Sequence, residues 1–275
     1  MTELTLQELE TVAKAYEQFL TPVLFTKWTH RLADLAEIQP GQQALDVACG
    51  TGTLTRVIAE RAGNRGKVSG IDVNPGMLAV ANKTNPNIEW LTGNAEALPF
   101  DDASFDAVLC QFGLMLFASP ETALQEMRRV LRPGGRLVVA VFGSLDELPA
   151  YAALAGVYDR VVDQSVGNAL RMPFSMGHKE TLMPLFASAG IHSAQIISAT
   201  EQVCFPSVRN MVLADVKGWF PFAGIHLDKD TVDSVTDEAQ NALKSFQTSE
   251  GRVEFEVPVR IVLATAADSP TEFGR

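Results

Sequence analysis

Ala44-Leu45-Asp46-Val47-Ala48-Cys49-Gly50-Thr51-Gly52-Thr53 is the stretch on which the fold turns. An apolar run ends in an acid and then breaks into glycines, the pattern of a buried strand, a tight turn and the start of a helix. Leu45 and Val47 suit a strand covered on both faces, and Gly50 and Gly52 free the backbone to present bare N–H groups to a ligand. Such a turn holds a nucleotide-like molecule. A phosphate-gripping loop needs Lys-Ser/Thr after its last glycine, and here Thr53-Leu54 follows Gly52. A dinucleotide fingerprint needs a third glycine where Thr55 stands, which leaves a nicotinamide oxidoreductase as a distant alternative.

Upstream, Thr5-x-x-Glu8 is a capping-box signal, after which Leu9, Val12, Tyr16 and Phe19 recur at helical spacing. A second amphipathic stretch carries Phe25, Trp28, Leu32 and Leu35 and stops at Pro40-Gly41, so two helices precede the first strand. Downstream, 54–62 is predicted as a helix and 67–72 as a second strand, which also ends in an acid, Asp72, twenty residues past Gly52. At that distance a carboxylate at the strand tip accepts from both ribose hydroxyls. A helix over 77–84, strands over 88–91 and 104–110, a helix opened by Ser119-Pro120-Glu121 and a strand over 136–142 continue the βα rhythm. Pro133-Gly134-Gly135 is expected to separate the last two.

Asp46 to Gly52, Asp72, Gly93-Asn94-Ala95-Glu96-Ala97-Leu98-Pro99-Phe100-Asp101, Phe105-Asp106 and Leu131-Arg132-Pro133-Gly134-Gly135 stand in this order over roughly 40–142. Together they resemble the motifs of class I S-adenosylmethionine (SAM) dependent methyltransferases of the small-molecule type, the group that includes quinone-biosynthesis C-methyltransferases. Ala48 takes the place of the first glycine of that group's motif I. The resemblance implies SAM as cofactor and a Rossmann-like, doubly wound α/β sheet of seven strands, mostly parallel with an antiparallel last strand, carrying N-terminal helices and a helical lid. It places Gly50 and Gly52 at the methionine part of SAM, Asp72 at the ribose, Val73 and Met77 at the adenine face, Asn94-Ala95 at the adenine edge and Gln111 by the methionyl group. Tyr16, Phe19 and Trp28 of the N-terminal helices either pack those helices together or close over the ligand turn. SAM has no phosphate, and its ammonium and sulfonium favour a carboxylate such as Asp46. Asn94 stands where Asp is commoner, and its amide oxygen can still accept from the adenine amino group.

The 275 residues carry a net charge of −11, from 22 Lys+Arg against 33 Asp+Glu, without a dense basic cluster. A phosphate-tracking surface would lack its footprint, so nucleic acid is not an expected partner. The longest clear apolar run, 137–142, is far too short for a bilayer span, and no basic and apolar leader opens the chain. A cytoplasmic protein without membrane segments is expected. Cys49, Cys110 and Cys204 make an odd count without metal-ligand spacing, which predicts buried thiols in a reducing compartment and no metal. The length suits one methyltransferase domain over 1–275, with a helical cap over 1–40, a SAM-binding core over 41–143 and a variable half over 144–275. That half holds a lid at about 206–227 and a last strand over 252–265.

Within the variable half, 178–189 is predicted as a helix kinked by Pro184, 191–199 as a strand, and a helix capped by Ser207 carries Val208, Met211 and Val212. A last helix carries Val232, Val235, Ala239 and Leu243, and strict alternation from Val253 to Leu263 predicts the final strand. Pro258 cannot donate to a ladder, so a bulge or interruption is expected there. Trp219, Phe220 and Phe222 of the lid, with Phe112, Met115, Phe142 and Phe174, and Phe19 and Trp28 of the N-terminal helices, are the candidates for a pocket that takes a small, apolar acceptor. Each residue singly is as consistent with core packing. Methyl transfer is an in-line displacement at an activated carbon, so alignment and exclusion of water are the main requirements and a base is optional. His178 and His226 are the candidate bases, with Tyr16 a further one. A SAM-binding protein that transfers no methyl group is the alternative, and the motif region does not separate the two.

Overall fold

The computed structural model describes residues 4–266. Its first helix, α1 (Leu6–Phe19), begins with the predicted capping box: Glu8 N donates to Thr5 Oγ1 at 3.3 Å and Thr5 N donates to Glu8 Oε2 at 2.8 Å. A wide turn at Thr21–Phe25, with Pro22 in its first positions, leads into α2 (Thr26–Leu35), which buries Trp28, Leu32 and Ala33.

The apolar run at the glycine turn forms β1 (Gln43–Val47), and α3 (Thr53–Ala62) follows from Gly52. Then come β2 (Lys67–Asp72), α4 (Pro75–Thr84), β3 (Glu89–Thr92), β4 (Phe105–Gln111), α5 (Pro120–Arg129) and β5 (Leu131–Phe142). The second half contributes α6 (Pro149–Val161), α7 (Gln164–Arg171), α8 (Lys179–Ser188), β6 (Gln195–Phe205), α9 (Val208–Gly218), α10 (Lys229–Ala242) and β7 (Val253–Thr265). The strands form one seven-stranded sheet in the order β3-β2-β1-β4-β5-β7-β6. β1 to β5 pair in parallel, and β7 enters antiparallel between β5 and β6. This is the Rossmann-like class I methyltransferase fold.

Strand order reverses between β1 and β4, and at such a switch point the outward helices diverge and leave a crevice at the carboxyl ends of the strands. Asp46, Asp72, Gln111 and Phe142 lie at or next to the carboxyl ends of their strands, so the topology carries residues far apart in sequence to one edge.

Four expectations are corrected. Pairing runs without a shift through Thr200↔Pro258, so the last strand has no bulge at Pro258. The N–H and C=O of one strand residue point to the same side, and the Pro258 carbonyl accepts from Gly143 N at 2.7 Å. The missing donor therefore faces the side on which the β5 ladder has already ended, at Phe142↔Val259. The irregularity falls instead where Pro133-Gly134-Gly135 lies inside β5, as the register with β4 jumps from Phe105↔Leu131 to Ala107↔Arg136. The sixth strand is shifted: β6 starts at Gln195, after Ile191 and Ala194 have been buried in the preceding loop, and continues through Glu201 and Gln202 because an edge strand leaves alternate side chains in water. Finally, Cys49 and Cys110 are buried, but Cys204 on that edge strand is exposed.

α1 lies across α4, where a Cβ on Gly76 would come within 2.4 Å of the Leu9 carbonyl carbon. Backbone cannot yield as a side chain can, so Gly76→Ala should lower stability by about 1–3 kcal/mol. Gly156, inside α6, would place its Cβ no closer than 3.4 Å to the flexible Arg160 guanidinium, and Gly156→Ala should raise stability by about 0.5–1 kcal/mol. Denaturant melts of the two variants should move in opposite directions.

Candidate active site

Two connected hollows lie over the carboxyl edge of the sheet. The larger, about 430 Å³, is in the size range of small-molecule sites and is lined by Gly50, Asp72 and Met77 together with Phe142, Tyr151, Phe174, Asp215 and Trp219. The smaller, about 30 Å³, is lined by Asp46, Cys49, Thr51 and Thr53 and shares Tyr16, Phe25, Ala48, Gly50 and Gln111 with the larger.

The floor between them is strained. Ala48 (φ 55°), Gly50 (56°) and Phe112 (55°) adopt left-handed backbone, which costs a residue with a side chain roughly 1–2 kcal/mol. The Ala48 methyl has a place only because Gly113 faces it, since a Cβ there would come within 2.6 Å. Gly52 (φ 81°) is needed for a different reason from ligand approach: its missing Cβ would come within 2.3 Å of the Trp90 ring, and it lines neither hollow.

Asp46 is 1% exposed. Its Oδ2 accepts from Thr55 Oγ1 at 2.6 Å, while its Oδ1 is buried without a donor. Burial pushes its carboxyl up to about 7, against the opposing pull of the Thr55 bond. Gln111 repeats the imbalance: Nε2 donates to the Phe25 carbonyl at 3.2 Å, and Oε1 has no donor. Two orphaned buried acceptors around one polar hollow fit a ligand group that brings hydrogens and positive charge. Asp72 Oδ2 accepts from Gly50 N and Oδ1 from Asn74 N, both at 2.8 Å, which fixes the carboxylate across the β1 turn. Enclosure raises its pKa, and those backbone donors oppose the rise. Burial also pushes the Cys110 thiol up to about 12 and the Cys49 thiol well above its ordinary value, so neither is a nucleophile at neutral pH.

Of the residues singled out in the sequence, Tyr16, Ala48, Gly50, Asp72, Val73, Met77, Gln111, Phe112, Met115, Phe142, Phe174, Trp219 and Phe222 line the larger hollow. Others lie outside both hollows. Trp28 packs edge-on to Phe112 in the core, Phe220 edge-on to Tyr158, and Phe19 beneath the Lys217 ammonium. Asn94 is exposed and its Oδ1 accepts from Glu96 N at 2.9 Å, which closes its own turn, and Ala95 is buried beside it. His178, 4.0 Å from Asp146, and His226 are exposed and touch neither hollow.

Sequence reasoning missed Tyr151, Leu170 and Asp215. A signal existed: Tyr151, Leu154, Ala155 and Tyr158 make one helical stripe, and Val208, Met211, Val212 and Asp215 another that ends in an acid.

The model of the ubiE/COQ5 methyltransferase family matches residues 6–172, from α1 to the 3₁₀ turn Met172–Phe174. The chain belongs to that family. It is similar to a demethylmenaquinone methyltransferase of Staphylococcus epidermidis, 32% identical over 208 residues that cover 70% of this chain and 86% of the relative. It is also similar to a ubiquinone/menaquinone biosynthesis C-methyltransferase UbiE of Legionella pneumophila, 36% identical over 157 residues, 54% of this chain and 61% of that one. Among solved structures, a putative methyltransferase from Bacillus halodurans shares the fold, with a TM-score of 0.60 at 17% identity over 87% of this chain and 98% of that one. This ubiE/COQ5 family member is a SAM-dependent methyltransferase with a small-molecule acceptor; the nicotinamide and transfer-free alternatives are not favoured. Among the described residues no helix is long and apolar enough to cross a membrane, and no cluster of His, Cys, Asp and Glu could hold a metal ion.

Asp46 gives the site a pH signature. Its folded pKa is raised, so the free protein holds the proton below about 7, and a cation seated beside it would expel that proton. SAM affinity should therefore climb with pH up to about 7 and level off above, and titration calorimetry in buffers of different ionisation enthalpy should detect proton release. Asp46→Asn should flatten this component of the pH dependence.

Proposed function

We propose that this enzyme methylates a ring carbon of a quinone-type acceptor in its reduced, hydroxylated state. The observation that carries this is the larger hollow, whose lining joins Gly50 and Asp72 to a group of aromatic side chains. Cofactor and acceptor would share one enclosed space from which water is excluded. Among those aromatic side chains, Phe112 and Phe142 stack with ring centroids 4.1 Å apart and 9° between planes, and Phe174 and Tyr151 continue the wall. Flat apolar walls of this kind suit a planar ring. The Trp219 indole is pinned by its Nε1 donating to the Ala169 carbonyl at 2.9 Å, so its face is held in place before an acceptor arrives. The names of the two relatives supply the quinone class and the carbon nucleophile.

For the cofactor, Asp46 Oδ1 and Gln111 Oε1 would accept from the SAM ammonium, the Asp72 carboxylate would take the ribose hydroxyls through lone pairs its backbone donors leave free, and Val73 and Met77 would cover the adenine. SAM supplies the activated methyl group; the chain supplies alignment and dryness.

The test is methyl transfer to reduced naphthoquinols, with simple phenols, amines and carboxylic acids for comparison, scored by mass spectrometry. A naphthoquinol left unmethylated while another class is methylated would overturn the acceptor. Asp72→Ala should weaken SAM binding by on the order of 3 kcal/mol, about a hundredfold, because two hydrogen bonds to a charged group are lost. Trp219→Ala should raise the acceptor KM about tenfold or more and leave SAM affinity nearly unchanged. Equal losses of both affinities in the Trp219 variant would refute the division of the hollow between cofactor and acceptor.

A further inference from the structure

α9 turns Val208, Met211, Val212 and Asp215 to the interior, so a carboxylic acid occupies the position helical geometry reserves for a core residue. Asp215 is 3% exposed. The Tyr158 hydroxyl donates to its Oδ2 at 3.2 Å, and among the described residues no protein donor reaches Oδ1. The residue lines the larger hollow with Tyr151, Leu170, Phe174 and Trp219. Among the described residues no lysine, arginine or histidine lines that hollow, so no cation offsets its charge. Burial pushes its carboxyl well above the ordinary range, and the Tyr158 bond opposes the rise. The titratable groups around it are Tyr151 and Tyr158 on α6 and Tyr16 on α1, with Asp72 also on the lining of the hollow. A leucine here would complete the apolar stripe without any desolvation cost, and a tie to Tyr158 alone would not require the acid to face the hollow.

We propose that Asp215 is the general base of the reaction, binding the acceptor's ring hydroxyl through Oδ1 and taking its proton as the methyl group transfers. The proposal rests on the quinol acceptor of the preceding section, and the residue lies beyond the 6–172 segment that matches the family. The O–H bond breaks toward the carboxylate, and the pair left on oxygen feeds through the ring to the adjacent carbon. That carbon bonds the methyl carbon, and the C–S bond breaks with its pair kept on sulfur as a neutral thioether. The methylated keto intermediate rearomatises once it is released to water, where the ring carbon loses its hydrogen as a proton and the oxygen gains one, and Asp215 gives its proton to solvent. A carboxylate whose proton affinity has been raised toward that of a phenol is a better base than an exposed one. Tyr158 is a positioning residue: its donation holds Oδ2 and leaves Oδ1 to the acceptor.

The experiment has two arms on the full chain. In the first, reduced 1,4-naphthoquinone and SAM are turned over by the wild type, Asp215→Asn and Tyr158→Phe across pH. Asp215→Asn keeps the shape and the acceptor for Tyr158; it should lower kcat about a hundredfold or more, hold the SAM dissociation constant within about twofold, and lose the limb of kcat/KM that rises as the carboxyl ionises. Tyr158→Phe removes a donor to the carboxylate, so that limb should move to higher pH. An unmoved limb overturns the assignment even if Asp215→Asn folds poorly. In the second arm, 4-nitrophenol is bound to the enzyme with S-adenosylhomocysteine at a pH where the free dye is protonated. The wild type should show the phenolate band and Asp215→Asn should not. A band that survives the substitution, or that never forms with the wild type, overturns Asp215 as base. An Asp215-dependent band in an enzyme that leaves naphthoquinol unmethylated upholds the base and counts against the quinol acceptor alone.

Discussion

The site depends on one carboxyl group sealed from water beneath a left-handed turn. Asp46 stands on the central strand of the switch point, where covering helices exclude solvent, and Thr55 gives it only one of the hydrogen bonds it can accept. Among the described residues no cation compensates it, and the turn above runs through positive φ at Ala48 and Gly50. A fold keeps such a deficit only when its surroundings over-determine it. Here they do: Asp72 clamps Gly50 from β2, Gln111 is tethered to Phe25, and Gly113 yields room for Ala48. Binding energy from a cationic ligand then goes into a deficit already present rather than into rearrangement.

The acceptor end is built on the opposite plan, from apolar walls contributed by distant segments. Phe25 meets Phe142 at 6.2 Å, Phe142 meets Phe174 at 5.5 Å and Phe174 meets Tyr151 at 4.9 Å between ring centroids. Rings from the N-terminal turn, β5, the segment after α7 and α6 thus form one continuous surface. The larger and smaller hollows share Tyr16, Phe25, Ala48, Gly50 and Gln111, where apolar and polar linings change over.

The first half was legible because its signals are local. Asp46, Gly50, Asp72 and Gln111 lie at strand ends, and strand ends are set by short apolar runs and glycine turns that read directly from sequence. The second half was less so. α6 went unread, although Tyr151 and Tyr158 stand at helical spacing, because an Ala-rich helix marks its faces weakly, and α7 because its eight residues span barely two turns. Trp28 and Phe220 were offered as pocket residues because an aromatic signals burial but not what buries it. Pro258 misled in another way: its cost depends on which neighbour its nitrogen faces, a property of pairing rather than of the strand itself. The histidines were attractive by residue type alone, and both stand in solvent, while the acid that does face the hollow was hidden in an ordinary helical stripe.

The place of β7 in the sheet has a consequence for synthesis on the ribosome. β5 cannot receive its outer neighbour, and β6 has no partner at all, until residues 253–265 have been made. The parallel half can collapse early around β1, but the segment from α6 to α10 must wait with one open edge of β5 and an unpaired β6. Long-range pairing of this kind is slow and leaves strands available to wrong partners. The side chains that β6 leaves exposed, Ser198, Thr200, Gln202 and Cys204 among them, give a wrong partner little apolar surface during that interval.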